Sequence, residues 1–65
     1  MKASELRDMT DEELADRLAD ARQELLNVRF QLATGAIENT SRAAVVRRDI
    51  ARILTVQRDR ERSRA

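Results

Sequence analysis

The stretch TDEELADRLADARQELLNVRFQLATG, residues 10–35, carries the signals for both ends of one long helix. At its start, Thr10 and Glu13 have the spacing of a capping box: the threonine hydroxyl can accept the Glu13 amide, and the carboxylate can reach back to the Thr10 amide. At its end, Gly35 suits a left-handed C-terminal cap. Apolar residues recur between these signals at spacings of four and three: Leu14, Leu18, Ala21, Leu25, Val28 and Leu32. The pattern predicts an amphipathic helix over residues 10–33.

A second apolar stripe follows a connection of residues 34–40. Its members are again spaced by three and four: Ala43, Val46, Ile50, Ile53 and Gln57, with Leu54 beside them. Either Thr40 or Ser41 can cap this helix at its start. The stripe predicts a helix over residues 41–61, after which the chain is expected to fray.

The two predicted helices are long and their connection is short, which favours an antiparallel arrangement. Residues 3–8 can form one short turn ahead of them, held by Leu6. The predicted fold is therefore all-α: a long antiparallel two-helix hairpin with a short N-terminal turn, forming a single domain over residues 1–65.

Composition limits what such a chain can do. It has no Cys, His or Pro, and Gly35 and Phe30 are its only glycine and its only aromatic residue. A chain of this size buries only about 60% of its unfolded surface, so close helix packing, self-association or a partner must add stability. Without His, Cys or a phosphate-binding glycine loop, we expect no enzyme, no catalytic residues, no metal, no cofactor and no small-molecule substrate.

The chain also lacks the features of membrane and secreted proteins. Its longest apolar run, residues 43–46, is four residues long, whereas a membrane span needs roughly 20. The opening MKASELRDM has no apolar segment typical of a secretory signal. We therefore expect no membrane partner and a cytoplasmic location.

Charge is distributed unevenly along the chain. Residues 1–40 have five basic and nine acidic side chains, a net charge of −4, whereas residues 41–65 have eight arginines and three acids, a net charge of +5. Such a basic half is typical of a surface that contacts nucleic acid. The two halves could equally neutralise each other, and Asp49, Asp59 and Glu61 could pair with arginines of their own helix.

The arginines of the second helix fall on particular faces when each residue is placed about 100° from the last. Arg48, Arg52 and Thr55 lie opposite the seam residue Ile50, while Arg47 and Arg58 flank the seam. Arginine can grip phosphate oxygens in two places, but no aromatic platform is present for stacking on single-stranded bases. The pattern favours binding to the backbone of folded RNA.

Four apolar residues lie away from the predicted seam: Leu26, Phe30, Val45 and Val56. We take them as a candidate protein-partner patch, although scattered surface apolar residues are normal. An alternative function is a protein-interaction module in which two hairpins form a homodimeric four-helix bundle that covers these residues.

The segments ELRDMTDEEL, ELLNVRFQLATGAIEN and VRRDIARILT closely resemble bacterial large-subunit ribosomal proteins of the L-twenty-nine family, from Lys2 to about Arg60. The resemblance implies a non-catalytic structural protein of the large ribosomal subunit that supports translation. It further implies an α-hairpin on ribosomal RNA near the peptide tunnel exit, next to a protein of the L-twenty-three family and to nascent-chain factors. The residues that it implies face RNA are Arg29, Gln31, Arg47, Arg48, Arg52 and Thr55. Arg58, which lies in line with Arg47, completes the candidate set.

Overall fold

The computed structural model describes residues 2–38 and 40–64, and Asn39 of the predicted connection lies outside them. Three helices follow one another: α1 over Ala3–Arg7, α2 over Asp11–Thr34 and α3 over Ser41–Arg64. Helices α2 and α3 pack antiparallel along their length, and α1 packs against α3. The molecule is a rod of 45 × 17 × 17 Å. The predicted all-α hairpin with a short N-terminal helical turn is confirmed.

Both ends of α2 form as the sequence indicates. The Thr10 hydroxyl accepts the Glu13 amide at 3.1 Å, and it also donates to the Glu13 carboxylate at 3.2 Å, so the carboxylate meets the hydroxyl of the capping residue. Gly35 has φ 78° and ψ 7°, and its N–H donates to the Leu32 carbonyl. A side chain is strained in that left-handed region, so glycine is the residue that ends the helix most readily here.

The seam between the long helices is the predicted one in most positions. Its buried residues are Leu14, Ala21 and Val28 on α2 and Ala43, Val46 and Ile53 on α3. Ile50 and Gln57 are half-buried beside them, as are the remaining leucines of the α2 stripe. The assignment of Leu54 to the seam is wrong, because this side chain is 37% exposed. The buried face of α3 is centred near Val46 and Ile53, and about 100° separates Leu54 from Ile53.

The position of α1 shows that the assignment of Val56 to the partner patch is also wrong. Val56, predicted to belong to an outward patch, is only 7% exposed and forms one cluster with Leu6, Leu14 and Ile53. Leu6 is fully buried in that cluster, where α1 packs against α3. Val56 is therefore part of the core and is removed from the candidate partner patch.

The C-terminal part of α3 does not fray after residue 61 but stays helical through Arg64. Two arginines of its last two turns fix it to the beginning of α2. Arg60 donates to the Asp11 carboxylate at 2.9 Å, and Arg64 donates to the other oxygen of the same carboxylate. These contacts join residues about 50 positions apart, so no local sequence pattern reports them.

Arg60 also caps α1. Its Nη2 atom donates to the backbone carbonyls of Leu6, Arg7 and Met9 at 3.4, 3.0 and 2.6 Å. Carbonyls in the last turn of a helix lack intrahelical partners, and a basic side chain is one way to satisfy them. Only 24% of the Arg60 side chain is exposed, and the described residues contain no buried side-chain nitrogen or oxygen that lacks a partner.

The opposite end of the rod is held by weaker contacts. An ion pair of 3.1 Å joins Arg42 of α3 to Glu24 of α2, with both side chains largely exposed, so its stabilisation is small. In the connection, the Ile37 amide donates to the Gln31 carbonyl.

Within residues 2–38 and 40–64, no helix has both the length and the apolar character that crossing a bilayer requires.

We predict that Arg60→Met lowers the free energy of unfolding by about 1–3 kcal/mol, because it retains an apolar stem but removes the hydrogen bonds to the Arg7 and Met9 carbonyls and to Asp11. Urea unfolding followed by far-ultraviolet circular dichroism measures the change. The matched control is Arg62→Met, which removes an exposed arginine from the same helix. Equal destabilisation by the two substitutions would contradict the capping role of Arg60.

We also predict that acid weakens the contact between α2 and α3. Hydrogen bonds from Arg64 and then Arg60 hold the pKa of Asp11 below its ordinary value of 3.8. A carboxylate whose pKa is lower in the folded state stabilises that state above its unfolded pKa, and this stabilisation is lost as the pH falls through the folded pKa. The stability difference between the wild-type chain and Asp11→Asn should therefore be present at pH 7 and shrink below about pH 4.

Thermal unfolding at a series of pH values and low salt measures that difference. Glu12→Gln is the control, since it removes a neighbouring first-turn carboxylate that makes no arginine contact in the described structure. A difference between wild type and Asp11→Asn that stays constant from pH 7 to pH 2 would show that the ion pairs do not contribute.

Candidate nucleic-acid interface

The outer face of α3 brings three of the predicted residues together. Arg48, Arg52 and Thr55 are exposed and line one shallow hollow of about 210 Å³ between α3 and α1. Arg48 and Arg52 are one helical turn apart, about 6 Å along the axis. Because Ile53 and Val46 bury the other side of the helix, the position of this face is fixed by the seam.

Thr55 has a more restricted role than its residue type alone allows. Its hydroxyl donates to the Ala51 carbonyl of its own helix at 2.8 Å. A hydroxyl has one proton to donate and two lone pairs to accept with. While that bond is present, Thr55 offers an acceptor to a ligand and does not donate to a phosphate.

Arg47 and Arg58 are exposed as well but lie on another side of α3. Arg58 borders a separate hollow with Leu54, Gln57 and Glu61. Helical geometry places Arg47 about 100° from Arg48. The arginines of α3 thus form an outer group and a flanking group.

The two candidate residues on α2 are not brought together. Arg29 and Gln31 are both exposed, but residues two positions apart on a helix point about 200° apart, so they face different sides. Gln31 lies in the last turn of α2, where its backbone carbonyl accepts the Ile37 amide and the Thr34 hydroxyl at 3.3 Å each. Neither residue borders the hollow that Arg48 and Arg52 share.

The sequence reasoning did not identify Arg7, which α1 places at the hollow beside Arg48 and Arg52. Arg7 is exposed, and its position depends on the docking of α1 through Leu6 and Arg60. The local sequence signal for Arg7 is the apolar Leu6 immediately before it. If an apolar residue docks on the core, it fixes the orientation of the residues beside it. Arg7 is a further candidate contact residue.

The candidate protein-partner residues form two separate exposed sites once Val56 is removed. Leu26 and Phe30 lie one turn apart on α2 and are 61% and 69% exposed. Val45 is 52% exposed on α3, about 140° from Ile50 and away from α2. Each long helix therefore presents apolar surface on its own outer side.

Within residues 2–38 and 40–64, no group of three or more His, Cys, Asp or Glu residues could hold a metal ion. The described surface exposes guanidinium groups, carboxylates and the apolar sites on the outer faces.

Comparison with known proteins identifies the family. The family model described as Ribosomal L29 protein matches residues 4–60. The protein named large ribosomal subunit protein uL29 of Maridesulfovibrio salexigens is 57% identical over 61 residues, which cover 94% of this chain and 95% of that protein. The protein of the same name from Persephonella marina is 52% identical over 65 residues, covering 100% and 96% of the two chains. That of Saccharopolyspora erythraea is 56% identical over 59 residues, covering 91% and 74%. The chain belongs to the ribosomal L29 protein family.

Proposed function

We propose that this chain binds ribosomal RNA through the outer face of α3 and acts as a rigid rod within the large ribosomal subunit. Its family makes it a structural protein of that subunit, located in the cytoplasmic ribosome and without a catalytic role. The observation that carries the RNA proposal is the exposed pair Arg48 and Arg52, which lie one turn apart on α3 and border one hollow beside α1.

The proposed mechanism is electrostatic positioning. Two guanidinium groups one turn apart can each take a phosphate oxygen pair, and the packed hairpin keeps their spacing fixed before RNA binds. Because phosphate neutralisation releases counterions, the logarithm of the binding constant should fall with the logarithm of salt, by about 0.7–0.9 per phosphate contacted. Arg47 and Arg58, on the flank of α3, would contact a different RNA segment from Arg48 and Arg52.

The proposal includes a position in the subunit, supported by the family resemblance. We place the chain near the peptide tunnel exit, beside a protein of the L-twenty-three family and within reach of nascent-chain factors. Leu26 and Phe30 are the strongest candidates for the protein contact, because they form the most exposed apolar pair of the described residues. Arg29 and Gln31 point to different sides of α2, so at most one of them faces the same neighbour as Phe30.

The alternative function is a homodimeric four-helix bundle, and the exposed Leu26 and Phe30 favour it. One symmetric interface through α2 would leave Val45 uncovered, since it lies on the outer side of α3. Val56 no longer supports the bundle because α1 already covers it.

We predict that Arg48→Glu combined with Arg52→Glu strongly reduces incorporation of the chain into large ribosomal subunits. The two changes replace attraction for phosphate by repulsion, while the seam residues are untouched. Occupancy in purified subunits, measured by quantitative mass spectrometry, gives the result. Circular dichroism of the free chain should show similar helicity before and after substitution.

The matched control is Arg17→Glu combined with Arg22→Glu, which changes the net charge by the same amount on exposed positions of α2. Occupancy should fall much less in this control. Unchanged occupancy of the α3 variant would contradict the assignment of its outer face to RNA.

We further predict that the free chain sediments as a monomer at low and high salt, and that it cosediments with ribosomal RNA at low salt. If the hairpin binds RNA through phosphate contacts, it should dissociate from RNA as salt rises and should not form a dimer. A dimer that persists at high salt without RNA would instead support the four-helix bundle.

A further inference from the structure

We propose that α1 forms part of the RNA-binding surface, with Arg7 binding the phosphate backbone together with Arg48 and Arg52. The inference rests on the proposed function and extends it to α1, which contains none of the residues that the family resemblance implies face RNA. Its starting point is the hollow between α1 and α3, which these three arginines border.

The backbone at Arg7 is fixed before any ligand arrives. Leu6, its neighbour, is fully buried in the core cluster, and the Arg7 carbonyl accepts a hydrogen bond of 3.0 Å from Arg60. The side chain of Arg7 is exposed. A fixed backbone lowers the entropic cost of placing that guanidinium on a ligand.

The charges around the hollow favour an anion. Three arginines and one carboxylate, that of Asp59, border it. A neighbouring hollow of about 350 Å³ shares Arg7 and Asp59 but is bordered on its other side by Arg60 and Arg64, which are engaged with Asp11. The hollow on the side of Arg48 and Arg52 therefore has more guanidinium groups than carboxylates on its border.

The shape of the hollow suits a sugar–phosphate backbone. Ala3, Ala51 and Val56 also border the hollow, so part of its lining is small and apolar. No aromatic side chain lines the hollow, so it offers no aromatic platform for base stacking. The Thr55 hydroxyl oxygen and the Asp59 carboxylate are acceptors, and they match the hydroxyl that a ribose can donate.

The test is the affinity of the purified chain for an in vitro transcript of its large-subunit ribosomal RNA, measured by filter binding over a range of salt concentrations. Arg7→Gln should weaken binding roughly three- to tenfold and reduce the salt slope by about 0.7–0.9, the value of one phosphate contact. Arg17→Gln, an exposed arginine of α2 outside the hollow, should change neither quantity.

Arg48→Gln, measured in parallel, separates this inference from the proposed function. If Arg48→Gln lowers the affinity and Arg7→Gln does not, the role of α1 is overturned, whereas the proposed RNA-binding surface on α3 is retained. No change in either variant would overturn the proposed function itself. Urea unfolding of Arg7→Gln should match the wild-type chain, since the side chain is exposed.

A double-mutant cycle tests whether Arg7 acts from the docked position. In the Arg60→Met background the Arg7 carbonyl loses its hydrogen bond from Arg60, so the additional effect of Arg7→Gln on RNA affinity should be smaller than in the wild-type chain. An undiminished effect would contradict the fixed geometry of α1.

Discussion

The arrangement of the three helices depends most on the hydrogen bonds that the Arg60 guanidinium makes. The guanidinium lies where α1 ends, α2 begins and α3 makes its last turns, and it donates to the α1 carbonyls of Leu6 and Arg7, to the Met9 carbonyl that follows α1, and to Asp11. Without it, a five-residue helix would have only Leu6 to hold it, and helices this short are not stable alone. With α1 docked, Val56 is buried and the hollow that Arg7 borders exists. One half-buried hydrogen-bonding group thereby links the core to the candidate RNA surface.

Much of the fold could be predicted because its signals are local or periodic. The capping threonine and Gly35 mark the two ends of α2 within one residue of where they occur. The spacing of apolar residues identifies the seam, since a helix repeats every 3.6 residues and only one stripe can face a single partner helix. Arg48 and Arg52 followed from the same periodicity, because residues that are not on the buried stripe must point outward.

The remaining features depend on contacts between distant parts of the chain. Helical angles predict which residues face solvent only if a helix has one partner, and on that assumption Val56 points outward. Helix α1 is a second partner for α3, so Val56 is buried. The same angles placed Leu54 inside because the centre of the stripe was taken at Ile50, although burial is centred nearer Ile53. The last turn of α3 was expected to fray because its neighbours in sequence are polar. Asp11, about 50 positions earlier, supplies the partner that the local sequence lacks.

The contrast between an acidic half and a basic half has two explanations in this chain, and both apply. Arg42, Arg60 and Arg64 pair with Glu24 and Asp11 across the hairpin, so part of the positive charge neutralises the first half. Those pairs lie at the two ends of the rod, whereas Arg48 and Arg52 lie between them on the outer face. Net charge therefore overstates the number of phosphate contacts available, since a guanidinium already held by a carboxylate must give up that partner to bind phosphate. The affinity for RNA should depend on where the arginines lie more than on how many there are, because the seam and the Arg60 contacts fix those positions in advance.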